Sequence, residues 1–447
     1  MSVNMSSRHS WKRLRFVSPR SLAGAILITA ICHPALASFN RSCVNPGGKA
    51  GCFSTIGAAV AAASPGGTII VAPGTYMEAV VIGKPLSLIG ADSRNTIIDA
   101  TGLPNGIFID GLDNPGLSNV VVSGFTLENA NFEGLLIVNA SNVLIKDNTV
   151  SGNDVLLDID NDTCPGQPPF ETGEDFDCGE GVHLTGVAYS ILINNVIENN
   201  SGGVLLSDDV GETHDNLITN NIVKNNPFDC GITLASHSPY NPENPDPTAP
   251  HLGIVHNTIS NNQSVHNGYQ VPGAGAGVGI FADGSGIGLV TGNLVLNNQL
   301  LNNGIPGVAF HSHVGPNFGL PADNLNNNVI IGNRISGNGA DVGDTPTPGP
   351  TGINLNSGAG GTPITGTIIR GNVIDNEDAD VVTNTPAAVD LHFNNLLGGE
   401  IGVDNLGSGS VSATNNYWGC FNGPGARGCS TASAGVDFVP FLRIPVL

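Results

Sequence analysis

The chain has 447 residues and a formal charge of −22, yet only 12% of its residues are charged, against about 25% in an ordinary soluble domain. Asn totals 52, as many as Asp, Glu, Lys and Arg together, and Gly totals 61. Low charge with abundant Gly and Asn argues against helix bundles and coiled coils, and 40% hydrophobic residues exclude a disordered chain. The acidity also excludes nucleic acid and anionic membrane as partners, because both are bound through basic patches.

Residues 1–37 read as an export signal. Arg8, Lys12, Arg13, Arg15 and Arg20 precede a short apolar run at 21–32, and Ala35-Leu36-Ala37 is a small-residue cleavage site. A lipid anchor at Cys32 is the weaker alternative, since bulky Ile31 precedes it. Cleavage after Ala37 removes five basic and no acidic residues, leaving 410 residues with ten basic against 37 acidic, a charge of −27. No later apolar run is long enough to span a bilayer, so the expected product is secreted, without a membrane span, and monomeric. The cysteines suit an oxidising compartment: Cys43 and Cys52, Cys164 and Cys178, and Cys420 and Cys429 form three close pairs, with Cys230 left over as a small buried hydrophobe.

Residues 38–100 form an N-terminal cap and the first coils. Ser54–Ala63 reads as a short helix with Ser/Thr entry, stopped by Ser64-Pro65-Gly66-Gly67. It closes an end that a solenoid must not leave bare.

Residues 101–400 are repeats. One phrase, Asn-x-[Ile/Val]-x-x-Asn or a near variant, begins at Asn148, Asn195, Asn221, Asn257, Asn293, Asn333 and Asn372. A second, Gly-[Val/Ile]-x-apolar, recurs at 181–186, 203–209, 231–237, 277–283, 307–313 and 352–358, and extends to 106–111 and 388–393. Successive second phrases come as close as 22 residues apart, with period-2 alternation inside each. Helical repeats need a 3.6 period and longer units. The expectation is an all-β, single-stranded parallel β-helix whose coils stack about 4.8 Å apart, with the leading Asn residues forming an amide ladder at a turn. Residues 401–447 form a C-terminal cap, with an aromatic, disulfide-bounded plug at 415–429 and a last strand at 436–442.

With its entry segment STIGAAVAAASPGGTIIVAPGTYMEAVVIGKPLSLIGA at 54–91 and these coils, the chain resembles the pectin-lyase-like right-handed parallel β-helix superfamily. The resemblance implies a right-handed solenoid over roughly 43–442. It also implies a choice among polysaccharide lyases, glycoside hydrolases, pectin esterases, uronate epimerases, adhesins and a copper-site maturation factor, which fold alone does not make. Asp208-Asp209 matches the Asp-Asp pair of polygalacturonases, but the chain has neither their Gly-His-Gly nor their Arg-Ile-Lys, and it lacks the Asp-Pro-His-Asp of alginate epimerases.

Alternation in the second phrase sorts outward residues into columns. The first is His183, Leu205, Thr233, Gly279, Ala309, Asn354 and Asp390, and the second is Thr185, Ser207, Ala235, Phe281, His311, Asn356 and His392. Two residues on, Asp209, His237, Asp283 and His313 alternate carboxylate with imidazole over four coils. Such pairs suit general acid–base work near neutral pH, or a divalent metal. Insertions at 161–180, 264–277 and 339–351 precede this strand and those at 238–252 and 314–326 follow it, as walls of an elongated cleft. Asp209, His237, Asp283, His311 and His313 are therefore the candidate catalytic residues. His183, Ser207, Asp208, Thr233, Phe281, Asn354 and Asn356 are the candidate substrate-binding residues. Asp158, Asp160 and Asp162, pointing to one face of an extended strand beside an acidic loop, suit Ca²⁺.

Three functions fit. The first is a secreted enzyme, lyase or glycoside hydrolase, working on a polysaccharide. The second is a non-catalytic secreted β-helix that binds a cell-surface glycan. The third, weaker one is periplasmic metal handling through His237, His311 and His313, disfavoured because Met77 is the one thioether left after cleavage. A polyuronate would be repelled by −27 charges unless cations bridge it.

Overall fold

A computed structural model describes residues 41–161, 164–167, 170, 180–236, 252–282, 288–312, 323–343, 345–358 and 363–446. Their strands lie in three long sheets of 14, 12 and 11 strands and a short one of three, and every pairing between them is parallel. In each long sheet the strands follow one another in chain order, so coil stacks on coil. One coil shows the plan. Val204–Ser207 lies in the 12-stranded sheet, Leu217–Thr219 in the 14-stranded and Ile222–Lys224 in the 11-stranded, and the chain re-enters the 12-stranded sheet at Ile232. Alternation turns Val204, Leu206, Ile218 and Val223 inward, where each is fully buried. Repetition of this inward set builds one continuous core along the axis.

The Asn residues form three ladders rather than the single one expected. The first runs Asn148, Asn195, Asn221, Asn262, Asn298, Asn333, Asn372, Asn394 and Asn416. Each Oδ1 accepts both the backbone N–H and the Nδ2 of the preceding Asn, as in Asn195 to Asn221 at 2.9 and 3.0 Å. The second runs Asn153, Asn200, Asn226, Asn267, Asn303 and Asn338 and ends on Glu377. The third joins Ser190 to Asn216, Asn257, Asn293 and Asn328. Asn257 and Asn293 thus leave the ladder in which the repeated phrase placed them, and Asn262 and Asn298 take those rungs. The reason is spacing: the phrase begins and ends with Asn five residues apart, and successive rungs of different ladders are also five apart, as in 257, 262 and 267.

Doubling of Asn has a second cause. The residue before a rung adopts a left-handed conformation, as at Asn194, Asn199, Asn220, Asn225, Asn261, Asn297 and Asn302. Asn tolerates that region better than most L-residues. His256 and His266 occupy the same kind of corner before Asn257 and Asn267.

Both ends are closed. Helix α1 (Ile56–Ala62) buries Ile56, Ala59 and Val60. Thr55 caps it by accepting from Ala58 N–H at 3.2 Å, and the Glu78 carboxylate accepts from the N–H groups of Ile56 and Gly57 at 2.7 and 2.8 Å. At the other end Trp418 is fully buried beside the Cys420–Cys429 disulfide, and the last strand is short, Val436–Asp437. Cys43 pairs with Cys52. Cys164 is disulfide-bonded, while its expected partner Cys178 lies outside the described residues. Cys230 is a buried free thiol, as expected. Among the described residues, no helix is long and apolar enough to cross a membrane.

Candidate active site on the twelve-stranded sheet

The register confirms most of each expected column. His183, Leu205, Thr233, Gly279, Ala309 and Asn354 are in line, followed by Val382. Thr185, Ser207, Ala235, Phe281 and His311 are also in line. Asp390 and His392 do not belong: they lie on Val389–His392 in the 14-stranded sheet, where they pair with Ile368 and Arg370. Their segment has the same Val-x-Leu alternation, and alternation alone does not say which sheet a strand joins.

Exposure differs from expectation. The residues of the two columns that lie in this sheet are covered. His183 is 2% exposed, His311 6%, and Ser207 and Asn354 0%. Leu205, Ala235, Phe281 and Ala309 form a second apolar cluster on the outer face with Cys230, Ala276 and Ile305, which come from the turns that lead into the strands. His311 stacks on Phe281 with ring centroids 4.0 Å apart and planes 16° from parallel. The described insertions lie on this face instead of standing as walls. Ala276 packs into the cluster, and Asn354 Nδ2 donates to Thr345 O at 2.9 Å and to Thr345 Oγ1 at 3.2 Å. Thr233 is buried on the same face as Cys230, whose thiol burial pushes well above its ordinary pKa. Asn356 Oδ1 accepts from Gly358 N–H at 3.1 Å, closing a turn. Asp208 faces the other way from Asp209 and accepts from Ser236 Oγ at 2.9 Å, so the Asp-Asp pair is split between two faces.

What the structure does bring together is a chain of polar side chains crossing successive coils. Asn105 Nδ2 donates to Glu133 Oε2 at 2.5 Å, and Glu133 Oε1 lies 3.4 Å from His183 Nδ1. His183 Nε2 is 2.8 Å from Ser207 Oγ, whose hydroxyl donates to Asp209 Oδ2. With the serine proton on Asp209, the imidazole N–H is the donor to Ser207. His183 Nε2 and Asp209 Oδ2 are 4.0 Å apart, and the side chains of Glu133, His183 and Asp209 are 0, 3 and 2% exposed. Burial strengthens such charge-assisted bonds relative to water.

Glu133 and Asn105 were not singled out from the sequence, though a signal exists. Each precedes the glycine that opens a strand of this sheet, and the same slot holds Glu180, Cys230 and Ala276 in other coils. Of the other expected catalytic residues, His237, Asp283 and His313 lie outside the described residues. The proposed metal strand is not a strand. Asp158 is a single bridge position and residues 159–161 form a turn, in which Asp158 accepts from Asp160 N–H, Asn161 N–H and Asn161 Nδ2, and that last bond holds its carboxyl below the usual range. Asp158 and Asp160 therefore do not share a strand face, and Asp162 lies outside the described residues. No group of three His, Cys, Asp or Glu suited to a metal occurs among the described residues.

Residues 91–246 match the family described as the right-handed beta helix region. The chain is a right-handed parallel β-helix. Three solved structures show partial similarity to this chain. An alpha-1,3-glucanase catalytic unit from Streptomyces thermodiastaticus is 13% identical, with TM-score 0.48 over 86% of this chain and 65% of that one. The ORF18 protein of Geobacillus virus E2 is 14% identical, with TM-score 0.47 over 81% of this chain and 58% of that one. The mannuronan C-5 epimerase A-module of Azotobacter vinelandii is 16% identical, with TM-score 0.43 over 77% and 88%. The chain thus spans less than two thirds of the first two proteins. No curated protein matches its sequence.

Proposed function

We propose that this β-helix is exported and that it binds and cleaves a polysaccharide, with Asp209 exchanging protons with the glycosidic oxygen. The observation that carries this reading is the continuous path Glu133–His183–Ser207–Asp209. An acid that gives its proton to a leaving group must recover one, and a buried imidazole held between two carboxylates through a hydroxyl supplies a route. Elimination and hydrolysis both need such a group, and hydrolysis needs a second carboxylate across the scissile bond. Asp208 is turned away, so in this reading the partner is Asp283, the next carboxylate in the column by sequence. We propose Ca²⁺ for the acidic loop beginning at Asp158.

Burial of His183 and Asp209 favours a second reading, glycan binding without cleavage. Release of reducing ends, and of unsaturated products absorbing near 235 nm, separates the two. Turnover lost in Asp209→Asn with the fold intact supports the enzyme. Retention on a glycan gel without turnover on any polysaccharide supports the binder.

A further inference from the structure

One surface feature is unused by the buried path. At the corner between the 12- and 14-stranded sheets, four successive coils place Asn142, Tyr189, Asp215 and His256 in line, all exposed and all left-handed, with φ of 52, 53, 54 and 57°. Backbone bonds fix the stack: Asn142 N–H donates to Ala188 O, Tyr189 N–H to His214 O and Asp215 N–H to Val255 O. Asn, Asp and His tolerate this conformation, whereas a bulky aromatic is strained in it.

Tyr189 is also 58% exposed. Phe393, another aromatic held left-handed, is covered by the Arg370 guanidinium 4.6 Å from its ring centre. Tyr189 has His214 beside it, edge-to-face at 5.1 Å and 83°, so at least one ring face stays open. His214 is itself fixed, its Nδ1 2.9 Å from Asp215 Oδ2 and its Nε2 3.8 Å from Glu212 Oε1. An open aromatic face bordered by carboxylate, imidazole and amide groups is the surface a sugar ring needs. The ring's C–H face packs on the aromatic, and its hydroxyls bond to the polar neighbours.

We propose that this corner is a glycan subsite at which Tyr189 stacks on one ring of a neutral, extended, β-linked hexopyranose chain. The coil pitch, about 4.8 Å, is close to the rise per ring of such a chain, so Asn142, Asp215 and His256 meet its neighbouring rings. Exposed Asp215 and Glu212 repel a polyuronate. The corner follows the strand ends on the border that carries Asp209, and the inference rests on the polysaccharide reading above.

The test is affinity electrophoresis in native gels containing hydroxyethylcellulose, konjac glucomannan or dextran, with wild type, Tyr189→Phe and Tyr189→Asn. Asn suits the left-handed corner, so the variant should melt at or above the wild-type temperature. Expected results are retardation of wild type and Tyr189→Phe by the two β-linked polymers, little effect of dextran, and a requirement for about tenfold more polymer by Tyr189→Asn. Equal retardation of Tyr189→Asn and wild type overturns the subsite and leaves the polysaccharide reading standing. Retardation by dextran equal to that by the β-linked polymers overturns the linkage. A wild type unaffected by any gel overturns both the subsite and the reading it rests on.

Discussion

Replacing Glu377 by Gln changes the pH dependence of stability in a calculable way. Glu377 ends the second ladder, its Oε1 accepting the backbone N–H and the Nδ2 of Asn338 at 3.1 and 3.0 Å. Burial raises its pKa from 4.5 to about 7, and the nearby charges of Asp375 and Asp378 add to the rise. The folded protein therefore holds this proton more tightly than the unfolded chain. Its contribution is greatest below about pH 4.5 and is lost as pH climbs to about 7, a change of about 3 kcal/mol. Gln keeps the acceptor and cannot ionise. Its NH₂ replaces Oε2, which has no hydrogen-bond partner among the described residues, and leaving that amide unpaired costs about 1–2 kcal/mol. The variant should be less stable than wild type near pH 4.5 and more stable at pH 8, with a swing of about 3 kcal/mol between them. Asp380, which burial also pushes upward, adds a pH dependence of its own, so the difference between the two proteins is the quantity to follow. Denaturant unfolding monitored by circular dichroism across this range measures it. A difference that does not vary with pH refutes the reasoning.

Four further substitutions probe the scaffold. Asn221→Ala removes the acceptor for both Asn195 donors and should cost about 3 kcal/mol in denaturant unfolding, whereas Asn220→Gly, at the left-handed position beside it, should be nearly neutral. Phe281→Ala empties the outer cluster and unstacks His311, for a loss of about 3 kcal/mol by the same measurement. Glu78→Ala frees two N–H groups at the start of α1, and thermal melting should register a loss of about 1 kcal/mol.

The coil was readable in the sequence because its period is carried by residues that repeat for physical reasons: inward Val, Leu and Ile, and buried Asn. Ladder membership was less readable, since Asn257 and Asn262 differ by one rung spacing and either fits the phrase. Segment 388–393 shows the same ambiguity between sheets. At the site, alternation correctly placed His183 and Ser207 in their columns. It did not show that Cys230, Ala276 and Ile305 would cover that face, because a cover comes from distant turns and leaves no local period. Glu133 was missed for a related reason. It stands in a turn outside the alternating strand, and only stacking brings it to His183.

The most direct measurement is the initial rate of reducing-end or 235-nm product release from neutral polysaccharides by wild type and Asp209→Asn, with both shown folded by circular dichroism. The account predicts turnover by wild type and a loss of at least about 100-fold in the variant, the size expected for removing a general acid. No turnover by wild type, or equal turnover by both, would contradict it.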